Sequence, residues 1–503
     1  MALTQVASKD DYTIDDFYTE EIVIGICGPI GVDLPAIATR IADNLRAYSY
    51  EAKYIKLSKI IEDCVGEITG SPLERKERLI DSGNHLRQEH ERGSFLAEKA
   101  IELILKDRLA HFPDQKFTSR RKCFIIDSIK NVAEAKKFRE VYGESFYLIG
   151  VFSSHDRKIA NLTKGNTSLN AAANKLIEND YNQKGSYGQQ VSKVFQTADY
   201  FFRIEGQEEY DAKVQRLLSL ILGAEIITPS TSETAMFAAA SAARNSACLS
   251  RQVGAAIIDN DGNVISTGWN DVPKFTGGTY RHGPNDHRCF NNGRYCRNDQ
   301  EKYILINDIV NDLIKNGAIE ESKKEITHNV ISKSRVSDLI EFSRAVHAEM
   351  LAILNAAKSG TGLLNNSVLY CTTYPCHSCA RHIVASGIKE VYFIEPYAKS
   401  KAISLHNDSI TEHENEVNKL KILAYEGVAP TRYLDFFSIK NERKNTSGNY
   451  QPLPKDQLKP QVDKMFESVP VLEGIVVRSL NPRGGGDDGQ STTEEARQAP
   501  GAA

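Results

Sequence analysis

Two short stretches, RAVHAE at residues 344–349 and TYPCHSCAR at residues 373–381, decide how this chain is read. His347 and Glu349 form an H-x-E pair at the start of a predicted helix, and Pro375, Cys376 and Cys379 form P-C-x-x-C at the start of the next. One imidazole and two thiolates supply three ligands for a tetrahedral zinc, leaving the fourth position to water, as a catalytic site requires. The cysteines, three residues apart, fall on one helical face, and a helix N-terminus favours the thiolate form. Glu349 is not needed to complete the metal set, so its expected work is to carry a proton. A closed structural site, with a further Cys or His as fourth ligand, is the alternative. The downstream glutamate and the proline before Cys376 argue against it, because a structural site needs neither.

Reading outward, residues 342–357 are expected as a helix, 367–372 as a strand, 376–386 as a helix and 390–394 as a strand. Upstream, PSTS at 229–232 is an N-cap signal before an alanine-rich helix. VGAAIID at 253–259, the NDG turn at 260–262 and residues 263–268 read as a hairpin. H-x-E paired with P-C-x-x-C is the signature of zinc-dependent nucleobase deaminases. With SRQVGAAIID (250–259), Gly268-Trp269-Asn270, AVHAEMLAI and YPCHSCARHIVASGIKEVYF, residues 230–436 resemble the cytidine and deoxycytidylate deaminase family. The resemblance implies an α/β/α sandwich on a five-stranded sheet, a catalytic Zn2+ on His347, Cys376 and Cys379, Glu349 as the catalytic proton shuttle, and Asn270 against the substrate. The whole chain resembles bacterial anti-phage dCTP deaminases, which implies conversion of deoxycytidine nucleotides to deoxyuridine forms and depletion of the dCTP pool.

The insert at about 271–340 contains RHGPNDHRCFNNGRYCRND. His282, His287, Cys289 and Cys296 are candidates for a second, structural zinc, although their spacing matches no standard finger and loop residues would look the same. Arg281, Arg288, Arg294 and Arg297 make the insert basic, either as solvated loop cations or as phosphate partners.

Farther out, IVIGICGPIGVD at 22–33 reads as a buried strand running into a glycine-rich turn and a helix, a context that cradles phosphate. Strands at 21–27, 123–127, 146–152 and 200–204 alternate with helical patterns, which predicts a parallel α/β sheet. This front half resembles P-loop nucleoside monophosphate kinases. Gly25, Gly28, Gly31 and Asp127 are its candidate nucleotide-binding residues. Val32 stands where the P-loop lysine belongs and Asp33 where Ser or Thr would hold magnesium, so phosphoryl transfer is disfavoured; a nucleotide sensor and a purely structural unit both remain open. The expected fold class is α/β, with an N-terminal parallel-sheet P-loop-like domain followed by the deaminase-type sandwich. The expected divisions are a polar leader (1–20), a nucleotide domain (21–225), a deaminase domain (230–437), and a linker with a disordered tail (438–503).

Composition sets the outer bounds. At 503 residues the chain needs more than one core. A net charge of −4 lacks the footprint of a nucleic-acid or anionic-membrane binder, so no DNA binding and no membrane association are expected. The polar, acidic start is unlike a signal peptide, and nine cysteines spread along the chain do not form a disulfide framework. A soluble, cytoplasmic enzyme is expected, with deoxycytidine nucleotides as small-molecule partners; a nucleotide-sensing regulatory protein and a deaminase of cytosine in single-stranded nucleic acid are the alternatives. The resemblance adds a homo-oligomer. Restraint by the front half or by a separate inhibitor or activator is open.

Overall fold

A computed structural model describes residues 18–480, apart from 182, 184, 206–209, 361–363, 398–399, 441–442 and 463–464. Most of the expected leader and the tail at 482–503 therefore lie outside the described residues. The chain is mixed α/β, built on two six-stranded sheets in which parallel pairing dominates.

The first sheet uses β1 (Ile22–Cys27), β2 (Glu51–Lys56), β3 (Lys122–Asp127), β4 (Phe146–Phe152) and β5 (Tyr200–Arg203) in the order β5-β4-β1-β3-β2, all parallel. β1 and β3 are buried at every position, which is why they read as continuous apolar runs. β2 (EAKYIK) escaped the sequence reading. It is an edge strand exposed along much of its length, so burial imposed no apolar run on it.

The second sheet comprises β6 (Gly254–Ile258), β7 (Val264–Trp269), β8 (Val368–Thr373), β9 (Glu390–Glu395), β10 (Ile410–Thr411) and β11 (Leu420–Ala424), in the order β10-β11-β9-β8-β6-β7. β8, β9, β11 and β10 run parallel, whereas the β6–β7 hairpin joins β8 antiparallel. Two-residue β10 makes six strands where the resemblance implied five. Gly254 and Gly268 let helices press onto this sheet. A Cβ at Gly254 would lie 1.9 Å from the Ala239 carbonyl oxygen, in the Thr231–Ala243 helix.

The two halves share a core. One buried cluster joins Phe124, Phe146 and Phe201 of the first sheet with Met236, Ala256 and Tyr370 of the second half. β12 (Gly427–Val428) then crosses back and pairs antiparallel with β5. Of the segment 438–503 read as linker and tail, the described part packs onto the front half instead of forming a free linker. Leu458 and Val462 are buried against the front half. The helix Ser468–Leu480 packs on Phe95–His111, burying Val469 and Val476. Its Glu473 reaches the buried Arg108 at 2.9 Å. Those apolar residues are too sparse to register as a core until the partner surface is known.

Candidate active site

His347 is placed by an abrupt change of backbone. Val346 bridges Asp271 in an antiparallel pair, and the helix Ala348–Ser359 begins two residues later with His347 between them as its N-cap. The helix expected from residue 342 therefore starts at 348, because 346 is held in extended pairing. Glu349 follows in the first turn. The second motif is built likewise: β8 ends at Thr373, Cys376 is the N-cap of the helix His377–Ala385, and Cys379 lies one turn in. The expected helix start at Cys376 thus shifts by one residue, and the sulfur becomes the cap. Cys376 Sγ accepts from the Cys379 backbone N–H at 3.4 Å.

The three ligand atoms converge. His347 Nδ1 lies 3.4 Å from Cys376 Sγ and 3.3 Å from Cys379 Sγ. Among the described residues this is the only group of three or more His, Cys, Asp or Glu side chains gathered closely enough to hold a metal ion. One imidazole nitrogen and two sulfurs suit zinc, and no fourth such side chain closes the set, so the donor chemistry fits an open site. Hydrogen bonding from Cys379, with His347 alongside, holds the Cys376 thiol well below its ordinary range. His347 is pushed up to about 9, chiefly by its bond to Cys376. Glu349 is buried, and that burial pushes its carboxyl up, with His347 partly offsetting it.

A cleft of about 330 Å³ opens onto these residues. His347, Glu349 and Cys376 line it, and Arg251, Arg297, Lys302 and Arg344 bring cationic side chains to the same wall. Arg297 Nε is buried and has no hydrogen-bond partner among the described residues. Of the insert arginines, Arg288 is locked to Asp286 at 2.6 Å and Asp271 at 3.2 Å, and Arg281 lies over the Trp269 ring. Sequence reasoning missed Arg251, Lys302 and Arg344. Arg344 adjoins the H-x-E motif and so carried a signal; the other two are brought there only by the fold.

Asn270 also lines the cleft, but its amide is engaged. Nδ2 donates to the Arg251 carbonyl at 2.9 Å, and Oδ1 accepts from the Val253 N–H at 2.7 Å. His282, His287, Cys289 and Cys296 are not gathered into a ligand set. Cys289 and Cys296 line the cleft, whereas the His287 ring meets Tyr280.

In the front half, Gly25 lies inside β1, where a Cβ would meet Ile129 Cδ1 at 2.5 Å. Gly28 packs against the Val151 carbonyl and Gly31 against that of Lys158, each 2.8 Å from a notional Cβ. The turn's N–H of Ile30 donates to Asp180 Oδ2 at 2.6 Å, and Lys130 Nζ pairs with the same carboxylate at 2.9 Å. Asp127 is buried and accepts from Tyr54 and Ser128 hydroxyls.

An open His/Cys/Cys ligand set with a buried glutamate beside it, facing a cation-lined cleft, defines the site of a hydrolytic deaminase. The family model and the curated relatives agree. Residues 229–395 match the family model "Cytidine and deoxycytidylate deaminase zinc-binding region". A deoxycytidylate deaminase of Enterobacteria phage T4 is 33% identical over 161 residues, 31% of this chain and 74% of the phage protein. That of phage T2 is 31% identical over 166 residues, covering 31% of this chain and 76% of its own length. A crystal structure of dCMP deaminase from cyanophage S-TIM5 matches 40% of this chain and 100% of its own, at 18% identity and a TM-score of 0.22. The chain belongs to the cytidine and deoxycytidylate deaminase family.

Proposed function

We propose that the protein deaminates free deoxycytidine nucleotides hydrolytically, converting dCMP, dCTP or both to the deoxyuridine nucleotide and ammonia. The observation that carries this reading is buried Glu349 beside the His347–Cys376–Cys379 set in a cleft that also presents four cationic side chains. His347, Cys376 and Cys379 would hold zinc, which supplies Lewis acidity toward water at neutral pH. Buried Glu349 would take a proton from the attacking water and give it to the cytosine ring nitrogen, then take the proton of the resulting C4 hydroxyl and give it to the amine, which leaves as ammonia. Arg251, Arg297, Lys302 and Arg344 offer phosphate partners, guanidinium forks matching phosphate oxygens. Asn270 orders the 251–253 turn and keeps one lone pair and one N–H for substrate. The names of the phage relatives support dCMP; four cations leave room for a triphosphate.

The deaminase unit is read as residues 230–437 and the front half, residues 21–225, as a P-loop-like regulatory module. The parallel β5-β4-β1-β3-β2 order with a glycine turn after its central strand supports this. Any phosphate reaching the Ile30 N–H has to displace the Asp180 carboxylate, so the module senses rather than transfers phosphate. Draining a dCTP pool during phage infection and assembly as a homo-oligomer belong to the same proposal.

The test is turnover on cytidine and deoxycytidine carrying zero to three phosphates, with zinc content measured alongside. Uracil product from dCMP or dCTP is expected, and Glu349→Ala should abolish it with zinc retained. Undiminished turnover in a fully zinc-loaded Glu349→Ala protein would remove Glu349 from the chemistry. No product from any free nucleotide would overturn the substrate class.

A further inference from the structure

Tyr374 stands two residues before Cys376 and lines the cleft. It is buried and held from three sides. Its N–H donates to the Glu395 carbonyl at 2.7 Å. Its hydroxyl donates to Glu412 Oε1 at 2.9 Å, and its ring meets that of Phe393 edge-on at 4.8 Å.

Two of these holds continue into the front half. Phe393 meets Phe152, the last residue of β4, edge-on at 6.2 Å. Glu412 is followed directly by His413 and Glu414. His413 faces Asp156 at 3.6 Å, and Glu414 pairs with Arg203, the last residue of β5, at 2.7 Å. The His413–Asp156 pair is exposed on both sides and contributes little. Arg203 is different: its side chain is 15% exposed, and it also reaches the Ala424 carbonyl at 3.5 Å. Phe152 and Asp156 flank the start of the helix His155–Thr163, whose Lys158 carbonyl lies against Gly31 of the glycine turn. Residues 412–414 thus join the segment carrying Cys376 to the end of β5, and Phe393 joins it to the end of β4.

We infer that Tyr374 is a positioning residue through which the front half sets the geometry of the catalytic cleft, with residues 412–414 as the strap that holds it. The inference rests on the deaminase reading above. The Glu412 carboxylate fixes the Tyr374 hydroxyl, and the fixed ring settles the 374–376 backbone from which Cys376 caps its helix. Arg203 fixes Glu414 and so keeps Glu412 in reach. Misplacing groups near reacting atoms by about 1 Å is enough to slow chemistry strongly.

The experiment measures kcat, KM, zinc content and thermal midpoint for the full chain with dCMP and dCTP. Tyr374→Phe and Glu412→Ala should each lower kcat about tenfold, with KM and zinc content little changed. Glu412→Gln keeps an acceptor for the hydroxyl and should retain most of the parent's kcat. Glu414→Gln, at a half-exposed position, should lower kcat about threefold in the parent and add nothing in the Tyr374→Phe background. Equal losses for the Gln and Ala variants at 412, an unaffected Glu414→Gln protein, or losses that multiply across the pair would each overturn the strap. A parent chain inert on every cytosine nucleotide is a different outcome: it overturns the deaminase reading, and this inference falls with it.

Discussion

Glu473 offers the sharpest test of how the C-terminal helix is held. Its carboxylate accepts from Arg108 Nε and Nη2, both at 2.9 Å, and from the Tyr142 hydroxyl at 3.1 Å. Glu473→Ala leaves those three buried donors without this acceptor, at about 1–3 kcal/mol for each group left unmade. Two facts pull the total to the low end. Arg108 keeps Glu21, bonded twice at 2.8 Å, so its charge remains compensated. Burial also pushes the Glu473 carboxyl up, so removing it relieves a desolvation cost. The net loss should be about 3 kcal/mol, which at a urea slope of about 3 kcal/mol/M lowers the front-half midpoint by about 1 M. Far-UV circular dichroism should follow that transition. Fluorescence of the single tryptophan, Trp269, reports the other half and should move less. Limited proteolysis should cut the 468–480 helix earlier in the variant. An unmoved midpoint with that helix equally protected would show that Glu473 anchors nothing.

Two further outcomes follow from the packing around the site. In Gly268→Ala the new Cβ would come within 2.3 Å of the Ala348 carbonyl and 2.4 Å of the Ala352 N–H, pushing away the helix that carries His347 and Glu349. Zinc content and turnover should both fall severely, and a protein with normal zinc and kcat would refute the claim that β7 sets this helix. Hydrogen bonding to Arg288 holds the Asp286 carboxyl below the usual range, so its stability contribution is present above the unfolded pKa and lost as pH falls through the lower folded value. The stability gap between the parent and Asp286→Asn should therefore be full at neutral pH and narrow below about pH 4. A gap that widens on acidification would contradict that sign.

The candidate metal ligands were legible in the sequence because metal chemistry demands fixed residue types at short spacing, and a helix start supplies that spacing locally. His347, Glu349, Cys376 and Cys379 needed no knowledge of the rest of the chain. The strongest strands were legible for a related reason: β1, β3 and β4 are almost wholly buried, so composition alone marks them. β2 was not, since an exposed edge strand leaves no such trace.

Long-range placement lay beyond the sequence. Whether a glycine cradles phosphate or packs against a carbonyl depends on what arrives from elsewhere, and at Gly25, Gly28 and Gly31 it is Ile129, Val151 and Lys158. Asp180, 150 residues from Ile30, takes the N–H that the glycine turn offered. Glu473, 365 residues from Arg108, turns an apparent tail into part of the front half. Local spacing determined the chemistry of the deaminase site; tertiary contact decided which cations face it, how Tyr374 is held and what closes the glycine turn. A residue's type fixes what it can bind, but only the folded chain fixes what stands within hydrogen-bonding reach.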